Sequence, residues 1–200
     1  MCFLRHLTQE EAFEILEKSL EFKDLIVGVG LDSSELGNPP LKFKEVFEKA
    51  ISYGYKTVAH AGEEGDFSFI IEALELLKIQ RIDHGVQAIN SKELMEKLKI
   101  SQVPLTVCPF SNIELKVFEN MKEHNIKEML DFGLNVTVNS DDPSYFKGYL
   151  NDNLISVYEN LDLTKEDIIK LVKNSINSSF ITEEEKINYL NKIDQFTFNN

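Results

Sequence analysis

His60 and Glu63 stand three residues apart where a β-type run gives way to a turn, in the order His60-Ala61-Gly62-Glu63. A neutral imidazole binds zinc, and a carboxyl group beside it can carry protons to and from an attacking water. The same spacing also fits an ordinary hydrogen-bonded histidine at a strand end. Asp141 and Asp142 are adjacent and followed by Pro143. Two neighbouring carboxylates repel unless a cation or a donor holds one of them, so the pair reads as a metal or substrate site, or as a solvated turn with Asp142 capping a helix. His84, between Asp83 and Gly85, could polarise a water or serve the structure alone. His6 and His124 lie in polar segments and read as surface residues. Cys108 has no basic neighbour to lower its pKa and reads as an inert buried thiol. Ser33 and Ser34 could bind a ligand or cap the next helix.

The elements that must position these residues alternate. β-type runs are expected at 25–31, 56–60, 81–84, 104–108 and 135–139, and helical periodicity at 43–52, 67–77, 91–99 and 122–132. In the first of these helices Phe43, Val46, Phe47 and Ala50 share a face. After the fifth run the chain reads as helical to its end, with Thr164 and Thr182 as N-caps. Strand and helix alternating through short loops define a parallel α/β fold, either an open doubly wound sheet or a (β/α) barrel. Both place functional residues at the C-terminal ends of strands, where His60, Glu63, His84 and the two aspartates fall. Gly28-Val29-Gly30 lacks the third glycine and the lysine of a phosphate-binding loop, so nucleotide-cofactor chemistry is not indicated.

Composition narrows the partners. The 200 residues, 42% hydrophobic and 28% charged, suit one soluble globular domain. A net charge of -13 without a basic patch argues against nucleic acid. Cys2 and Cys108 make no disulfide framework, and no apolar run reaches the roughly 20 residues of a membrane span. A cytoplasmic location is expected.

Four motifs, H-A-G-E at 60–63, I-D-H-G at 82–85, V-C-P-F-S-N at 107–112 and V-N-S-D-D-P at 138–143, resemble the adenosine deaminase superfamily, and more closely its adenine-specific branch. The resemblance implies a TIM-type (β/α)8 barrel with a catalytic zinc ion on its C-terminal rim. It makes His60 and Asp141 zinc ligands, Glu63 the proton donor to the purine, and His84 the residue that orients the attacking water. Asp142 and the segment around Ser33 contact the purine. The implied reaction is hydrolytic deamination of adenine to hypoxanthine and ammonia in purine salvage, with adenosine as the alternative substrate.

The sequence departs from that pattern in one respect. The superfamily's zinc site uses a His-x-His pair on the first barrel strand, and no His-x-His occurs among these 200 residues. Five strands against eight imply strands four to eight with strands one to three absent, so residues 1–200 read as the C-terminal portion of a single barrel domain. An N-terminal segment or a second chain is then expected to complete the site. The rival reading is a non-catalytic chain.

Overall fold

The computed structural model describes residues 1–198, which divide into two units, the first Met1–Leu105 and the second beginning at Thr106. In the first unit β1 (Cys2–Leu4), β2 (Gly28–Asp32), β3 (Lys56–Ala61) and β4 (Arg81–His84) lie side by side in chain order. All three pairings are parallel, with Cys2 opposite Gly30, Gly28 opposite Lys56 and Ala61 opposite His84. The Pro104 carbonyl, at the entry to β5 (Leu105–Val107), accepts from the Ile82 amide at 2.9 Å. β2 packs close to β3 because Gly28 has no side chain: a Cβ there would lie 2.5 Å from the Lys56 carbonyl oxygen.

Helices α1 (Gln9–Ser19), α2 (Lys44–Ser52), α3 (Phe67–Leu76) and α4 (Lys92–Ser101) connect these strands. Their starts are set by side chains that satisfy otherwise orphan amides. Thr8 and Glu11 form a capping box on α1, Asp66 caps α3 and Ser91 caps α4. The expected face of α2 is the one it buries: Phe43, Val46, Phe47 and Ala50 are all fully enclosed. Phe47 meets Phe3 of β1 edge to face, ring centres 5.8 Å apart.

The second unit carries the rest of β5, then α5 (Pro109–Glu114), α6 (Ile126–Phe132), β6 (Val136–Val138), α7 (Pro143–Phe146), α8 (Leu150–Asn160), α9 (Lys165–Ser178) and α10 (Glu183–Phe198). Asn139 donates its amide to the Val107 carbonyl at 2.9 Å, and Asn174 of α9 donates to the Val136 carbonyl at 2.8 Å. Thr164 caps α9 in a capping box with Asp167, and Thr182 pairs with the Glu185 amide and carboxylate at the start of α10, so both expected breaks are real.

The α/β class is as expected, but the described residues hold six strands where five were expected. The additional one, Cys2–Leu4, is three residues long, too short to display an alternating pattern. The helix expected at 122–132 begins only at Ile126. No described helix is long and apolar enough to cross a membrane.

His124 corrects the surface assignment, being buried at 4% exposure. Its Nδ1 accepts from the Ile126 amide at 3.2 Å, and its Nε2 lies 3.2 Å from Asn112 Oδ1, so one neutral tautomer satisfies both ring nitrogens. Burial lowers its pKa from 6.5 to about 4. The native state therefore holds fewer protons than the unfolded chain between those values. Its contribution is complete above pH 6.5 and is lost as pH falls to about 4, a loss of up to roughly 3 kcal/mol. Urea unfolding followed across that range is expected to show a shallower acid loss in His124→Gln, while equal slopes in the two proteins would contradict the buried neutral imidazole.

Candidate active site

The site in the first unit is made where β3 and β4 end. His60 is the penultimate residue of β3 and half-buried. After Ala61 the chain turns at Gly62, whose φ of +70° an L side chain adopts only under strain, and the turn brings Glu63 back to 5% exposure. β4 ends on His84 at φ +65°, followed by Gly85 at +70°. A histidine in the left-handed region at a strand end is uncommon, and the reversal leaves its ring 1% exposed. Gln87 ties the two turns together, its amide donating to the Gly62 carbonyl at 2.9 Å.

Register does the rest. His60 pairs with Asp83 and Ala61 with His84, and at the left-handed end of β4 the two imidazoles meet edge to face, ring centres 4.7 Å apart at 78°. Glu63 Oε1 lies 3.1 Å from His84 Nδ1, and one ligand atom from each of His60, Glu63 and His84 falls within 4.8 Å of the others. Asp32, the last residue of β2, places Oδ1 3.6 Å from His60 Nε2. Desolvation, reinforced by His60, holds the His84 pKa well below 6.5, so His84 is neutral at physiological pH. Two imidazoles and a carboxyl group on one patch form a donor set of the kind zinc takes and can also move protons.

Of the other expected site residues, Ser33 follows β2 at φ +81°, with its Oγ 2.7 Å from His6 Nδ1. His6 is exposed, as expected, and its bond holds Ser33 at the strand end. Asp141 and Asp142 belong to the second unit, between β6 and α7. Asp141 adopts φ +54° and its Oδ1 accepts from the Asp142 amide at 2.9 Å. The Asp142 side chain is exposed and makes no capping bond to α7, so the alternative of a helix cap is not what the structure shows. Cys108 is buried, in keeping with an inert thiol.

Three nearby residues were not singled out from the sequence: Asp32, Arg5 and Glu35. Asp32 and Glu35 lie in the polar run that closes β2, and Arg5 is one of only two arginines in the chain, which was the available signal. Arg5 and Glu35 are both buried, with Arg5 Nη1 3.7 Å from Glu35 Oε1.

Comparison with known proteins identifies the family. The family model described as Adenosine deaminase matches residues 1–196, and the chain belongs to that family. An adenine deaminase of Psychrobacter cryohalolentis is 71% identical over 195 residues, covering 98% of this chain and 59% of that protein. Among solved structures, an adenine deaminase from Arthrobacter aurescens is 42% identical with a TM-score of 0.96, covering 98% of this chain and 60% of that one. An amidohydrolase from Burkhoderia ambifaria with bound zinc has a TM-score of 0.91 at 23% identity over 99% of this chain and 57% of that one, and shares the fold. The chain thus spans about three-fifths of the length of the relatives it matches.

Gly62 is the tightest point of the turn that buries Glu63. A Cβ there would lie 2.6 Å from Ile70 Cδ1 and 2.7 Å from Cγ1, at an unfavourable φ. Gly62→Ala is expected to cost about 1–3 kcal/mol, read as a lower urea midpoint at unchanged m-value. A midpoint equal to that of the parent would show that the turn tolerates a side chain.

Proposed function

We propose that this chain supplies the C-terminal part of the active site of a zinc-dependent deaminase that converts adenine to hypoxanthine and ammonia, a purine-salvage reaction. The observation that carries the reading is the buried Glu63–His84 contact of 3.1 Å beside His60, in a chain 71% identical to an adenine deaminase. The adenine deaminase from Arthrobacter aurescens, at TM-score 0.96, supports the expected TIM-type barrel. A cytoplasmic location accords with this activity.

His60 and Asp141 are the residues of this chain that would hold the zinc, and their imidazole and carboxylate donors suit that ion. When bound, zinc acts as a Lewis acid that makes water nucleophilic near neutral pH. Glu63 donates a proton to the purine ring and thereby draws electrons from the amino-bearing carbon. Neutral His84, locked against Glu63, orients the attacking water and takes one of its protons, which leaves with the amino group as ammonia, while the water's second proton returns to Glu63 as the hypoxanthine carbonyl forms. Asp142 and the backbone at Ser33 hold the purine in register with those groups. Glu63, at 5% exposure, is itself shielded from bulk water.

No His-x-His occurs among these 200 residues, and a catalytic zinc site needs three or more protein ligands. Residues 1–200 therefore act as the C-terminal portion of one barrel domain, completed by an N-terminal segment or a second chain that bears the missing pair. Adenine loss followed by absorbance with added zinc is expected for this chain mixed with such a segment, and to be near zero for the chain alone. Glu63→Gln in the mixture should lower kcat by roughly 10²–10⁴-fold. Ordinary turnover by the isolated chain would overturn the two-part reading, and full activity of Glu63→Gln would overturn the proton-donor role.

A further inference from the structure

Arg5 and Glu35 form a pair whose cost needs an explanation. Arg5 is fully enclosed and Glu35 is 1% exposed, and desolvation lowers the pKa of the first and raises that of the second. Taking two charges out of water consumes most of what their attraction returns, so the ion pair as such adds little to stability. Their 3.7 Å separation is longer than a hydrogen bond.

The bonds they make point elsewhere. Arg5 donates from Nη1 to the His60 carbonyl at 2.8 Å and from Nε to the Asn38 carbonyl at 2.9 Å. Glu35 Oε2 accepts from the Glu63 amide at 3.2 Å and the Gly65 amide at 2.6 Å. One buried pair thus grips both ends of the His60-Ala61-Gly62-Glu63 turn, the guanidinium at its start and the carboxylate at its end. Gly65 is needed for this approach, since a Cβ there would lie 2.7 Å from Glu35 Oε2. The lacing is reciprocal: Glu64 Oε2 accepts from the Glu35 amide at 3.2 Å and from Ser34 Oγ at 3.3 Å. The turn bearing His60 and Glu63 and the loop bearing Ser33 are therefore held to one another by two carboxylates, each bonded to backbone amides of the opposite segment.

We propose that Arg5 and Glu35 are positioning residues: a buried ionic clamp that fixes the backbone on which His60 and Glu63 are mounted, and with it the direction in which Glu63 presents its proton. Neither touches substrate; both act through the turn. The catalytic consequence rests on the proposed deaminase function, whereas the clamp itself does not.

Glu35→Gln keeps the shape and one acceptor oxygen but removes the charge that strengthens both amide bonds. In the full chain, amide hydrogen exchange read by NMR is expected to quicken on the order of tenfold at Glu63 and Gly65, with the amides of α1 and α2 unchanged. In the zinc-supplemented deaminase that the chain completes, the same variant is expected to lower kcat on the order of tenfold while KM stays within about twofold, since misaligned groups cost rate before binding. The double variant Arg5→Met with Glu35→Leu removes the clamp outright: it should lose exchange protection at both amides and most of kcat, and lower the urea midpoint, because the Glu63 and Gly65 amides are left without acceptors. Unchanged exchange at Glu63 and Gly65 in Glu35→Gln overturns the clamp. Altered exchange with parental kcat overturns its positioning role. If the parent itself fails to deaminate with the added segment, the functional reading falls while the exchange result still decides the clamp.

Discussion

The parallel pairing of β3 with β4 is the constraint on which the first unit's site depends. A slip of one residue would exchange every cross-strand partner of this pair, so the approach of His60 to His84 depends on the observed register together with the left-handed φ at His84. With Ala61 opposite His84, the strands end level, and the left-handed exits at Gly62 and at His84-Gly85 turn both chains back within one turn of each other. The Glu63–His84 contact follows from these two facts with little freedom left over. Hydrophobic packing underneath, through Leu31, Ala59 and Ile82, fixes the register, because each would exchange core for solvent if it slipped.

Against that frame the site is built at a cost to stability. A non-glycine residue at positive φ, an enclosed imidazole, and an enclosed arginine and glutamate each oppose folding by on the order of 1 kcal/mol or more. Such features persist only where the surroundings over-determine them, and here the surroundings are dense: Gln87 bonds Gly62, Glu35 bonds Glu63 and Gly65, and Arg5 bonds His60. These bonds hold the segment at both ends and across its turn.

What could be read from sequence was what is local. The helix face of α2, the caps at Thr164 and Thr182, the α/β alternation and the placing of His60, Glu63 and His84 at strand ends all depend on residues within a few positions of one another. The elements that escaped are those defined by distant partners. Arg5 meets the His60 carbonyl 55 residues away, and Glu35 meets the Glu63 and Gly65 amides 28 and 30 residues away. His124 looked solvated because its neighbours Glu123 and Asn125 are polar, whereas its enclosure comes from Asn112 and from Phe118, whose ring centre lies 4.5 Å from its own. β1 escaped for a different reason: three residues hold too little pattern to separate a strand from a loop, and pairing to β2 alone makes it one.

In the proposed roles the two imidazoles differ by task. His84 is enclosed, neutral and engaged through Nδ1 with Glu63, which suits a group that orients water and passes a proton. His60 is half-buried and turns Nε2 toward Asp32 at 3.6 Å, a looser contact that a metal ion could replace. In the proposed roles, a cation drawn to His60 therefore need not displace Glu63 from His84, and the proton-handling pair can be complete before the metal site is. The order of assembly then has a physical basis: the turn, its clamp and the Glu63–His84 pair belong to the folding of this chain, whereas tight zinc binding waits on the ligands that complete the coordination shell.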